Sequence, residues 1–292
     1  MTTPNPDAPI GVFDSGVGGL SVLRCVRAQM PEESVLYVAD QAHVPYGPRS
    51  LEQVRAFSEG ITRFFIDRGA KIIVVACNSA SAAALTHLRT VFPDVPFVGM
   101  EPAVKPAVGK TQTGVVGVLA TPATFQGALF ASVVERFAAG VTLLQDTCPG
   151  LVERIEAGDL DGDETRAILR SALEPMLAQG IDTVVLACTH YPFVIPLIQE
   201  IVGGNVRVID PAPAVARQAL RLLEANGMRR RDDGRRQTEY FTSGDPSHLA
   251  SLLTRLLQVE GQATGLAWLS DERIVEQAFP STSAAQSVGR LG

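Results

Sequence analysis

The chain has 292 residues, which at roughly 150 residues per domain sets an expectation of two domains. Hydrophobic residues make up 46% and charged residues 19%, enough apolar material for a buried core and too little charge for a disordered chain. The net charge of −6 argues against a nucleic-acid-binding surface, which usually carries a basic excess.

The opening residues, MTTPNPDAP, show neither the basic nor the apolar region of a signal peptide. No apolar run approaches the ~20 residues of a membrane span. The chain therefore reads as soluble and cytoplasmic.

In chain order, IGVFD (10–14) reads as a strand and GLSVLRCVRAQM (19–30) as a helix. SVLYVAD (34–40) is a strand, and the amphipathic stretch 51–68 a helix. IIVVAC (72–77) is a strand, followed by an alanine-rich helix over 79–91. FVGM (97–100), TGVVGVLA (113–120), VTLLQ (141–145), TVVLAC (183–188) and VRVID (206–210) complete the strands. Helices are expected at 124–138, 163–179, 193–202 and 212–226. MRRRDDGRRQ (228–237) reads as a solvated loop, and the residues from Pro280 as a frayed tail. Short unbroken apolar strands alternating with helices indicate a parallel α/β architecture covered on both sheet faces.

Ligands in such sheets sit at the carboxyl ends of strands. That directs attention to Asp14, Asp40, Cys77, Ala120, Cys188 and Asp210. VVACNSA (74–80) and VVLACTHYP (184–192) share an apolar strand, then Ala-Cys, then a short polar residue. The repeat suggests two similar α/β domains facing each other.

Two motifs fit nucleotides poorly. The glycine turn DSGVGG (14–19) offers backbone N–H groups to an anion. A dinucleotide fingerprint needs a third glycine where Ser21 stands, although Asp40 falls at about the spacing of the acidic partner. GKT (109–111) resembles the end of a P-loop, but Val104 replaces its first glycine and a strand follows.

The thiols carry more. The cysteines are Cys25, Cys77, Cys148 and Cys188, with no CxxC among them. A free cysteine is commonly a small buried hydrophobe, and cytosolic disulfides are rare. Cys77 and Cys188 stand out because each ends a strand and precedes a helix. A helix N-terminus lowers a thiol from about 8.5 toward neutrality, and its N–H groups can hold a carboxylate. Asn78, Ser79 and Thr189 are short donors suited to that task. His190 is placed to exchange a proton with Cys188, and Asp14 with Cys77 from a neighbouring strand end. The PYG loop (45–47) lies where loops cap α/β sites.

Together these segments resemble the aspartate/glutamate racemase superfamily, most closely its glutamate racemases. The matching stretches are IGVFDSGVGGLSVL (10–23), the 40–47 segment, VVACNSAS (74–81), GVLATPAT (117–124), CPGLVERIEAG (148–158) and VVLACTHYP (184–192). YFTSGDP (240–246) is a weaker match. The resemblance implies two pseudo-symmetric, three-layer α/β domains with mostly parallel sheets and the active site in the cleft between them. Residues 1–98 and 210–270 then form a discontinuous first domain carrying Asp14 and Cys77. Residues 99–209 form a second carrying Cys188 and His190, and 271–292 a C-terminal tail.

The activity implied is racemisation of L-glutamate to D-glutamate for peptidoglycan, with no cofactor and no metal. Cys77 and Cys188 would be the paired acid/base residues, assisted by Asp14 and His190, with Glu156 supporting His190. Asp14, Ser15, Tyr46, Gly47, Asn78, Ser79, Thr189 and His190 would hold the substrate, with Thr121 lining the pocket. Ser79 stands where many relatives have threonine, and Glu153 and Arg154 replace a more apolar stretch before Glu156. Cys25 and Cys148 match no catalytic motif and read as structural. Two alternatives stay open: an aspartate or hydantoin racemase, and a binding role toward DNA gyrase, reported for some family members but unsupported by this acidic sequence. A homodimer is compatible with this reading; membrane contact and direct nucleic-acid binding are not expected.

Overall fold

The structure, a computed structural model, describes residues 5–277 apart from 233 and 235. The chain begins β1 (Ile10–Asp14), α1 (Leu20–Gln29), β2 (Val35–Ala39), α2 (Leu51–Asp67), β3 (Ile72–Val75), α3 (Asn78–Val91) and β4 (Phe97–Gly99). It continues α4 (Val104–Val108), β5 (Val115–Ala120), α5 (Pro122–Gln126), α6 (Ala128–Phe137), β6 (Thr142–Asp146), α7 (Leu151–Glu156), α8 (Asp163–Ala178) and β7 (Thr183–Ala187). A 3-10 turn (Tyr191–Val194) leads into α9 (Ile195–Val202) and β8 (Arg207–Ile209). The last elements are α10 (Ala212–Ala225), β9 (Thr238–Thr242), α11 (Pro246–Leu257), β10 (Ala263–Ser270) and β11 (Arg273–Glu276).

Among the described residues the strands form two sheets, ordered β11-β10-β9-β2-β1-β3-β4 and β6-β5-β7-β8. Every pairing is parallel except β10 with β11. The chain leaves the first sheet after β4 and rejoins it through α10 and β9, so the second sheet is an insertion into the first unit. The central strands β1, β2, β3 and β7 are buried along their whole length. That is why they read as unbroken apolar runs.

Alternation along β1 divides the first core. Ile10 and Val12 pack with Leu20 and Leu23 of α1, Ala216 of α10 and Leu249 of α11. Phe13 points the other way, against Phe57 and Phe65 of α2 and Ala84 of α3. The first of these clusters continues without a break into Leu151 and Ile155 of α7 and Leu169 of α8. The two units are thus welded on one side of the cleft by a shared apolar core. Local signals fix the helix starts: Ser50 and Gln53 form a reciprocal capping box at α2, and Asp245 caps α11.

The structure adds α4, α7, β9, α11, β10 and β11 to the elements expected from sequence and alters others. The helix expected over 124–138 is broken at Gly127, whose extended backbone (ψ 139°) separates α5 from α6. The helix expected over 193–202 begins as a 3-10 turn, with Pro192 and Pro196 at the starts of the two segments. The tail expected from residue 271 begins later, because β11 pairs with β10 and buries Ile274; residues 278–292 lie outside the described residues. In the loop expected to be solvated, the Arg230 side chain is tucked in, reaching the Asp7 carbonyl, while its backbone N–H donates to Glu33. Among the described residues no helix is long and apolar enough to cross a membrane.

Candidate active site

The carboxyl ends of β1, β3 and β7 converge on one buried pocket between the units. From the first unit come Ser15, Pro45, Tyr46, Gly47, Cys77, Asn78 and Ser79. From the second come Thr121, Val152, Cys188, Thr189 and His190. The repeated strand-Ala-Cys pattern therefore places one thiol on each wall. The cavity holds about 20 Å³, room for about one water.

Cys77 is the N-cap of α3, and its Sγ accepts the Ala80 N–H at 3.4 Å. Ser15 Oγ lies 3.7 Å away. The sequence suggested that this helix start would lower the thiol. Instead burial, reinforced by the Asp14 carboxylate, raises it well above the ordinary thiol range, outweighing the Ala80 and Ser15 hydrogen bonds. Asp14 does not line the pocket wall, but its charge is felt at the Cys77 thiol. Its carboxylate accepts the Gly19 N–H at 2.8 Å and the Thr189 hydroxyl at 3.3 Å. Burial pushes the Asp14 carboxyl up, against the lowering influence of His190 and the Gly19 N–H.

Cys188 does not start an α-helix; it enters the 3-10 turn. Its Sγ lies 3.8 Å from His190 Nδ1. The other ring nitrogen, Nε2, meets Glu156 Oε1 at 2.6 Å. Burial opposes a charged His190, but the contacts to Cys188 and Glu156 win and raise it well above the usual histidine range. For Glu156, the hydrogen bond and charge of His190 overcome desolvation and hold the carboxyl below its usual range. The two form a buried imidazolium–carboxylate pair next to the thiol. Glu156, on α7, thus lies against His190 in spite of the changed residues before it.

The glycine turn does bind an anion, but an internal one: the Val17 N–H donates to Glu156 Oε1 at 2.7 Å. A Cβ at Gly16 would lie 2.0 Å from Glu156 Oε1, and one at Gly18 2.5 Å from His190 Nδ1. The glycines make room for the opposite unit's relay rather than for a nucleotide.

The remaining residues divide by role. Both polar atoms of the Asn78 amide are buried on the pocket wall without a partner, a costly arrangement for a polar group. Ser79 Oγ shares a hydrogen bond with Thr121 Oγ1 at 3.0 Å across the units. Tyr46 lines the pocket, yet its hydroxyl donates to Asp40 at 2.6 Å, so it offers ring and backbone rather than its O–H. Pro45, of the PYG loop, also lines the pocket, as does Val152, which was not singled out from sequence although it lies inside a segment that carried the resemblance. Cys148 is buried beside Asp146, and Cys25 is half-buried outside the pocket.

The Asp/Glu/Hydantoin racemase family model matches residues 19–219. The chain is 52% identical to the glutamate racemase of Stutzerimonas stutzeri (strain A1501), over 84% of this chain and 92% of that one. The fold is similar to glutamate racemase isoform RacE1 from Bacillus anthracis, with a TM-score of 0.81 at 31% identity, covering 89% of this chain and 98% of that one. It is also similar to Escherichia coli glutamate racemase, solved in complex with L-glutamate and the activator UDP-MurNAc-ala. There the TM-score is 0.75 at 33% identity, covering 86% and 94% of the two chains.

Proposed function

The chain belongs to the Asp/Glu/hydantoin racemase family and, within it, to the glutamate racemases, and from that premise we propose that it interconverts L- and D-glutamate by passing the α-proton between Cys77 and Cys188. The observation that carries this is the pair of thiols on opposite walls of one closed pocket. Inverting a stereocentre needs a base on one face of the α-carbon and an acid on the other. Two fixed thiols supply both without turning the substrate over.

In one direction the Cys77 thiolate takes the α-proton while the Cys188 thiol delivers one to the opposite face. Cys77 ends as thiol and Cys188 as thiolate, the arrangement required for the reverse reaction. Asp14 takes the Cys77 proton to generate the thiolate, and His190, backed by Glu156, exchanges the proton of Cys188. Between the transfers, negative charge sits on the α-carbon and its carboxylate. Asn78, with its unpartnered amide, and the Ser79 hydroxyl are the donors that meet it, while the Thr189 hydroxyl is committed to Asp14. Closure of the units excludes water from this charge, so opening and closing accompany each turnover.

The residues form two domains, 1–98 with 210–276 and 99–209 between, and the reaction runs without cofactor or metal. Its product serves peptidoglycan synthesis. Circular dichroism of L- and D-glutamate and of both aspartates tests the assignment. Glutamate is expected to be racemised with the higher kcat/KM, since a site built to bond a distal carboxylate rejects one that falls short. An equal or higher kcat/KM for aspartate would overturn the choice of glutamate.

A further inference from the structure

We propose that Gln41 is a positioning residue of the Cys188 side: it reaches from the first unit to hold Glu156 of the second, so that the Cys188–His190–Glu156 relay is aligned only when the units are closed. The inference deepens the two-thiol reading and rests on it.

Three donors hold the Glu156 carboxylate. Oε1 accepts from His190 Nε2 and from the Val17 N–H, at 2.6 and 2.7 Å. Oε2 accepts from Gln41 Nε2 at 3.0 Å. Only His190 belongs to the same unit as Glu156. Val17 follows β1 and Gln41 follows β2, both at the carboxyl edge of the first sheet. A carboxylate held through one oxygen can still swing about that bond; the Gln41 contact fixes the second oxygen and with it the plane that His190 meets.

The Gln41 amide is itself oriented. Its Oε1 accepts the Thr242 hydroxyl at 2.8 Å, and Thr242 Oγ1 accepts the Gly244 N–H at 2.9 Å. With its oxygen committed to a hydroxyl donor, the amide turns its NH2 toward Glu156; a flipped amide would set oxygen against carboxylate. A directional chain therefore runs from the end of β9 through Gln41 to Glu156, then to His190 and Cys188. Hydrogen bonds to an ionised acceptor are the strong ones. The other titratable groups around Glu156 are Asp14 and Tyr37 of the first unit, which feel its charge, and His248 of α11, which bonds its backbone carbonyl. None of these bonds Glu156 Oε2.

The test is a double-mutant cycle of Gln41→Leu and Glu156→Gln, with kcat and KM for glutamate measured across pH. Gln41→Leu is expected to lower kcat about tenfold, the scale of one hydrogen bond to a charged group, with KM less affected. Its alkaline limb should move to lower pH, because a loosened Glu156 supports the His190 charge less. In the Glu156→Gln background, Gln41→Leu should have no further effect. Thr242→Val, which keeps Gln41 but removes the group that orients it, should show a smaller loss in the same sense, and it carries the test if Gln41→Leu does not fold. A wild-type kcat and pH limb in the Gln41 or Thr242 variant, or losses that multiply in the cycle, would overturn the proposal. Failure of the wild-type protein to racemise glutamate, measured alongside, would instead strike at the parent reading.

Discussion

Cys77 and Cys188 face one pocket, but the groups behind them differ in kind. Behind Cys77 stands Asp14, a carboxyl raised by burial. Behind Cys188 stands His190, an imidazole raised by its contacts to Cys188 and Glu156 in spite of burial. Desolvation disfavours a lone anion and so makes an acid cling to its proton; a paired anion favours a cation and so makes a base do the same. Opposite physics thus gives each thiol a neighbour that holds a proton more firmly than it would in water. Such a neighbour can give a proton to a buried thiolate and, once it has lost that proton, take one back from the thiol. The pseudo-symmetry of the two sheets does not extend to the proton chemistry: each unit meets the same requirement with different residues.

The comparison breaks first at the thiols. Cys77→Ala and Cys188→Ala should each lower racemisation on the order of 10⁴-fold, the upper end for a positioned proton-transfer group, whereas Cys25→Ala and Cys148→Ala should keep most of it. Rates by circular dichroism check this, and a fully active Cys77→Ala protein would end the two-thiol account. The assistants come next. Asp14→Asn and His190→Asn should each lower kcat by about 10²–10³, and near-native kcat across the pH range in both would remove their roles. Gly18→Ala should cost about 10²-fold in kcat, because its Cβ would displace His190 on the other unit and a misplacement of roughly 1 Å carries that penalty. A wild-type rate would show that the two walls are not in register through this turn.

The pH profile sharpens the contrast most finely. A raised Asp14 is protonated earlier as pH falls, so the acid limb should belong to the Cys77 side. A raised His190 loses its charge only as pH climbs through its elevated value, so the alkaline limb should belong to the Cys188 side. Glu156→Gln removes the negative charge that sustains the imidazolium. It should move the alkaline limb to lower pH while leaving the acid limb nearly in place. Movement of the acid limb instead would mean that the assignments are exchanged.

Much of this site was legible in the sequence because it lies where pattern and geometry coincide. An unbroken apolar run ending in Ala-Cys states both that the strand is buried and that the thiol sits at its carboxyl edge. The long-range partners were not legible in the same way. That Tyr46 gives its hydroxyl to Asp40, or that Gln41 reaches Glu156, depends on how two units close, which no local spacing records. The helix-terminus argument for Cys77 failed because burial is a tertiary property and outweighed the local dipole. In the fold, β9, β10 and β11 escaped notice because they lie at one end of the sheet, where partial exposure breaks up the apolar run that marks a central strand. Amphipathic α11 and the weak match at 240–246 were signals for that region that the strand pattern alone did not exploit.

The most direct test of the central claim is the fate of the α-hydrogen in deuterium oxide over the first turnovers. With one thiol on each face, proton removal and delivery involve different groups. Deuterium should therefore appear at the α-carbon of the product enantiomer, while the remaining substrate enantiomer keeps its protium. Equal early incorporation of deuterium into both enantiomers would mean that a single group serves both faces, and it would contradict the assignment of Cys77 and Cys188 as separate bases.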